Sequence, residues 1–132
     1  MAKRTFKFDK LIRDKILDTM HSTGYTVHDK KLTGAELVAA LKNKLLEEAH
    51  EVAQAKSLEE LKEELADLQE VISALTSVCK LDPAEIEKIR VTKNIQKGGF
   101  ADGIYVSSIE LDEDNPEINR YLAKPKQYPE VK

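Results

Sequence analysis

Two short stretches hold the residue types that could do chemistry together: "LLEEAHEV" at 45–52 and "EELADLQEV" at 63–71. Each sets two acids three residues apart among leucines and valines, Glu48 with Glu51 and Glu64 with Asp67. On a helical wheel advancing about 100° per residue, Glu48 falls inside the apolar arc of Leu37, Leu41, Leu45 and Val52. Glu51 sits at the margin of that arc and Glu47 farther out, while Glu64 and Asp67 share a stripe with Val71 and Val78. A lone E-x-x-E is most often a solvated helix surface, because Glu is a good helix former. Glu59, Glu60, Glu63 and Glu70 fit that plain reading as first-turn or outer-face acids. Clustered carboxylates on an apolar arc are different: they repel and lose solvent, and a hard divalent cation relieves both costs.

Whether the two pairs meet depends on the elements that carry them. "TGAE" at 33–36 and "SLEE" at 57–60 have the capping-box pattern, and "DPAE" at 82–85 offers an Asp cap followed by Pro83. Helices are therefore predicted at about 34–56, 58–79 and 83–96, the first two joined at Lys56–Ser57 as an antiparallel hairpin. Measured from that turn, the two acid pairs differ by about two residues, or about 3 Å of helical rise, so four carboxylates converge at one height. A shorter helix is expected over "FDKLIRDKILDTMHSTG", ending at Gly24. The segments 25–32 and 103–111 are rich enough in β-branched and aromatic residues to pair as a small β-ribbon. The fold class expected is mainly α, an antiparallel helical bundle, with residues 1–111 as the domain and 112–132 as a polar extension.

Composition narrows the function. At 132 residues, with 34% charged and 5% aromatic residues and no Trp, the chain suits one helical domain with an aliphatic core. A net charge of -3 gives no reason to expect a nucleic-acid or membrane partner. The single cysteine, Cys79, is expected as a small core residue in a reducing compartment, and "MAKRTFKFDK" lacks the apolar run of a signal peptide. A cytoplasmic location is the expectation. His21, His28 and His50 show no ligand spacing. Arg90, Lys93 and Lys97 stack on one face of the third helix before the "KGGF" stop. They could neutralise a polyphosphate, or they could simply complement the helix C-terminus. Arg13, with Lys10 and Lys15 in "KLIRDKI", carries the same ambiguity.

Taken together, "KLLEEAHEV" followed by "EELADLQEVISAL" resembles the E-E-x-x-E … E-x-x-D signature of the MazG-like all-α NTP pyrophosphatase superfamily, which includes phosphoribosyl-ATP pyrophosphohydrolases. "KLIRDKI" and "RVTKNIQKGGF" are similar to the flanking motifs of a house-cleaning subgroup, and the resemblance spans about residues 9–106. It implies Mg²⁺, with Mn²⁺ as the alternative ion, held by Glu48, Glu51, Glu64 and Asp67. It further implies Glu47 as the residue that orients or deprotonates the attacking water, and Arg13, Arg90, Lys93 and Lys97 as phosphate contacts. The implied reaction converts a nucleoside triphosphate, or a related nucleotide, to monophosphate and pyrophosphate in a homodimer or homotetramer. Two departures stand out: Lys97 replaces the arginine usual before G-G-F, and "KILDTM" replaces a more usual I-P-E-I-I. The competing expectations are phosphoribosyl-ATP hydrolysis and a non-catalytic helical interaction module.

Overall fold

The computed structural model describes all residues, Met1–Lys132. Five helices follow one another: α1 Ile16–Ser22, α2 Gly34–Gln54, α3 Leu58–Val78, α4 Pro83–Lys97 and α5 Ile118–Leu122. The chain divides into two compact units, Met1–Lys93 and Asn94–Lys132. In the first, α2 against α3 is the one extensive helix–helix packing. The mainly helical class is as the sequence implies, and no strand forms. The expected ribbon from 25–32 and 103–111 is therefore absent, since neither segment is strand. β-branched and aromatic content fits a pleated surface but does not create one; a strand needs a partner edge and a face to cover.

The hairpin owes its geometry to a three-residue link and the cap that follows it. Ser57 enters α3 extended, and its hydroxyl accepts the Glu60 amide at 3.1 Å. The Glu60 carboxylate reaches back to the Lys56 amide at 2.9 Å, one residue earlier than a standard capping box. The Thr33 cap of α2 differs from expectation: its side chain makes no cap hydrogen bond. Gly34, at φ +55°, brings the chain into α2 through a left-handed step, which takes the hydroxyl out of line with the first-turn amides. At α4, the Asp82 carboxylate accepts the Ala84 amide at 2.9 Å, as the D-P-A-E pattern implies.

α1 starts later than its apolar spacing suggests, at Ile16. Leu11 and Ile12 are half-buried but not helical, because residues 9–14 are drawn across the α2–α3 hairpin. Tertiary contacts override a weak local preference that has no N-cap behind it. Cys79 is exposed at the C-cap of α3, not in the core, since the chain turns outward there. In the second unit, α5 is a single turn stabilised by Asn115 accepting the Glu117 amide, with Tyr121 edge-on to Tyr128 at 5.0 Å.

Packing within this chain is incomplete. Leu41 and Val71 are the only buried hydrophobic residues. Leu65 and Ile72 on α3 stay 42% and 46% exposed. α3 presents an apolar arc wider than one partner helix covers; α2 takes the side holding Leu68 and Val71 and leaves the other side open.

The ends of α1 and α3 share one capping geometry with different residues. After α1 the Tyr25 and Gly24 amides return to Met20 and His21, and after α3 the Leu81 and Lys80 amides return to Thr76 and Ser77. Both are Schellman closures, whose C′ residue must be left-handed. That residue is Gly24 at φ +93° in one and Lys80 at φ +56° in the other. Since a side chain at that conformation costs about 1 kcal/mol, Lys80→Gly should stabilise the protein by about 0.5–1 kcal/mol and Gly24→Ala should destabilise it by about as much. Urea unfolding of both variants measures the opposite signs.

Candidate metal centre

Glu48 lies on the buried side of α2, with its side chain only 14% exposed. Glu64 and Asp67 lie one turn apart on α3, both half-buried. Across the hairpin each of the three contributes a carboxylate oxygen to a group whose members lie within 4.8 Å of one another. Glu51 is exposed and stands outside that group. Its charge still reaches the group. The Glu64 carboxyl is held above its ordinary pKa by loss of solvent first, then by repulsion from Glu51, Asp67, Glu48 and Glu63. Three hard oxygen donors at this spacing suit Mg²⁺ or Mn²⁺, whose coordinating oxygens lie about 3–4 Å apart in an octahedron. No nitrogen or sulfur donor belongs to the group, which argues against zinc.

Cations surround the acids. The Arg13 guanidinium donates to Asp67 at 2.7 Å, bringing the N-terminal segment onto α3. Lys44 donates to Glu47 at 3.2 Å and lies 3.7 Å from Glu48, with its side chain only 20% exposed. Lys10 approaches the same Glu47 oxygen at 3.6 Å. Lys44 was not singled out in the sequence, whereas Lys10 was named with Arg13 and Lys15 in "KLIRDKI". For Lys44 a signal existed: it stands three and four residues before Glu47 and Glu48, the spacing of helical ion pairs. The Lys10–Glu47 contact had no such local signal, because it depends on where the non-helical segment comes to rest.

Not every expected residue joins the cluster. Arg90 is engaged by Glu87 on its own helix at 2.6 Å, and each group strengthens the charged form of the other. Lys93 lies on the same exposed helix without an ion-pair partner, and Lys97 belongs to the second unit.

A hairpin of two long helices that focuses carboxylates at one level and rings them with Lys and Arg is the arrangement of an all-α phosphoanhydride hydrolase. Residues 7–94 match the family described as phosphoribosyl-ATP pyrophosphohydrolase, two-thirds of the chain including the whole hairpin, and the protein belongs to that family. It is thereby a member of the MazG-like all-α NTP pyrophosphatase superfamily and a hydrolase acting on phosphoric anhydride bonds. No curated protein and no solved structure matches the chain. No helix is long and apolar enough to cross a membrane.

The raised Glu64 pKa sets a direction for stability. Its folded-state pKa lies above the unfolded one, so its contribution is fully present below about pH 4. It is lost as pH rises through the folded value. Without divalent cation, Glu64→Gln should therefore melt at a higher temperature than the parent at pH 7, with the gap closing at pH 4. Saturating Mg²⁺ should raise the melting temperature of the parent and leave the variant nearly unmoved.

Proposed function

We propose that the protein is a Mg²⁺-dependent nucleoside triphosphate pyrophosphohydrolase that clears non-canonical nucleotides. The observation that carries this reading is the convergence of Glu48, Glu64 and Asp67 across a hairpin lying wholly within the family match. Glu48, Glu64 and Asp67 would hold the ion, with Glu51 as the fourth ligand one turn along α2. Bound there, the ion supplies positive charge for the phosphoryl oxygens and for the attacking water.

The protein's own groups do the rest. Glu47, next to the ligands and tethered by Lys44 and Lys10, orients the water and receives its proton. Water attacks the α-phosphorus, the bond to the α–β bridging oxygen breaks, and pyrophosphate departs. Arg13 occupies Asp67 in the present structure; with Asp67 engaged as a metal ligand, its guanidinium would be free to turn to a substrate phosphate. Arg90, Lys93 and Lys97 are the further phosphate contacts proposed. Arg90 must leave Glu87 to take part.

House-cleaning specificity rests on the similarity of "KLIRDKI" and "QKGGF" to that subgroup, and the second of these lies beyond the end of the family match. The family's own description favours phosphoribosyl-ATP as the second reading, and both substrates release pyrophosphate from a triphosphate. The open side of α3, with Leu65 and Ile72, supports a homodimer or homotetramer that covers it with a second copy. A cytoplasmic location remains the proposal.

A panel of canonical, damaged and phosphoribosyl nucleotides assayed with Mg²⁺ for pyrophosphate release tests the reaction. Turnover of triphosphates should fall at least about 100-fold in Glu48→Gln and Asp67→Asn. Loss of turnover in neither variant, or no pyrophosphate from any triphosphate, would remove the enzymatic reading. Sedimentation velocity should show an oligomer that Ile72→Glu converts to monomer; unchanged sedimentation would place the interface elsewhere.

A further inference from the structure

Four ion pairs join residues three apart in the chain: Lys44 with Glu47, Lys62 with Glu59, Arg90 with Glu87 and Arg120 with Glu117. In the last three the acid comes first, the order that suits the helix dipole, and both side chains are more than half exposed. Such pairs are ordinary helix surface and contribute little. Lys44 departs from them twice. It precedes its acids, the less favourable order, and it is withdrawn from water, 20% exposed against Glu47 at 33% and Glu48 at 14%. Helix stability alone does not account for a shielded ammonium on the unfavourable side of its partners.

Its surroundings supply a reason. Lys44 stands between two hollows and lines both. A recess of about 100 Å³ lies between the N-terminal segment and α2, with Lys10 and Glu47 in its wall. A larger hollow of about 210 Å³ holds Glu48, Asp67 and Arg13. The Lys44 Nζ lies 3.2 Å from Glu47 Oε1 and 3.7 Å from Glu48 Oε1, so one ammonium bridges two consecutive acids. Consecutive residues project about 100° apart on a helix, and the shared cation ties the direction of Glu47 to that of Glu48. Lys10 closes on the same Glu47 oxygen at 3.6 Å. Both cations sit on Oε1, which leaves Oε2 as the oxygen open to another donor.

We infer that Lys44 is a positioning residue: it anchors Glu47 through Oε1 and presents Oε2 to the attacking water at a fixed place relative to Glu48. The inference rests on the reading of Glu47 as the group that receives the water's proton, and it adds which oxygen does so and what holds it. Lys44 touches neither the water nor the phosphates in this role. It acts through the carboxylate it orients, and Lys10 steadies the same oxygen from the N-terminal segment.

Lys44→Met and Glu47→Gln, singly and together in the intact protein, test this. Turnover of a triphosphate with Mg²⁺ gives kcat and KM, and calorimetry gives Mg²⁺ affinity without substrate. Lys44→Met keeps the length and helix propensity of lysine and removes the charge. It should lower kcat about 10- to 100-fold with KM within about threefold. Its Mg²⁺ affinity should equal that of the parent or rise up to about tenfold, since it lacks the cation 3.7 Å from Glu48. In the Glu47→Gln background the same substitution should change kcat by less than about twofold, because the base it positions is already absent. A parental kcat in Lys44→Met, or a full further loss in the double variant, overturns the role and leaves the reaction standing. Mg²⁺ binding that weakens together with turnover overturns it too, as the mark of a side chain that only supports the fold. If the parent turns over no triphosphate, the reading of the reaction falls and the role of Lys44 falls with it.

Discussion

Like charges held close together are the constraint from which the rest of this structure follows. Glu48, Glu64 and Asp67 point their carboxylates at one another across a helical hairpin, with Glu51 near enough to add to the repulsion on Glu64. Folding alone gives no reason to build such a cluster, since its members would be better placed in water. The cations near it offset part of that cost. The extended N-terminal segment brings Arg13 to Asp67, and Lys44 leans from the same helix toward Glu47 and Glu48. The cluster is thus held together by its neighbours at a cost that an apolar packing surface would not carry.

The apolar side of the hairpin shows the same economy. One face of α3 is spent on α2, and because Glu64 and Asp67 occupy part of that face, fewer aliphatic residues remain to make a core. Leu41 and Val71 are a small core for a chain of this length. Leu65 and Ile72 stay uncovered because they lie on the part of the α3 arc that α2 does not reach.

Helices α2, α3 and α4 were legible because each begins with a local signal and continues with a long apolar period; their bounds fall within two residues of those read from the sequence. Glu48, Glu64 and Asp67 were legible as a group because helix geometry fixes both the face and the height of a residue once the turn is known. Glu51, at the arc's margin, shows where that reasoning thins: a side chain near the edge can face either way. The ribbon was misread because strand content is not strand pairing. Lys10 was named within "KLIRDKI", but its pairing with Glu47 was not legible, since nothing local says where a non-helical segment lies. For Arg90 the stacking with Lys93 and Lys97 was read, while Glu87, the partner three residues before it, was not.

The short link between α2 and α3 has a consequence in time as well as in space. All the clustered acids belong to residues 48–67, joined through the turn at 55–57 and its Ser57 cap. Loop closure over so short a distance is fast, and contacts of low sequence separation form early in folding. The carboxylates are therefore brought together while most of the chain is still unordered, so the turn and its cap must hold the two helices against that repulsion before the rest of the chain can help.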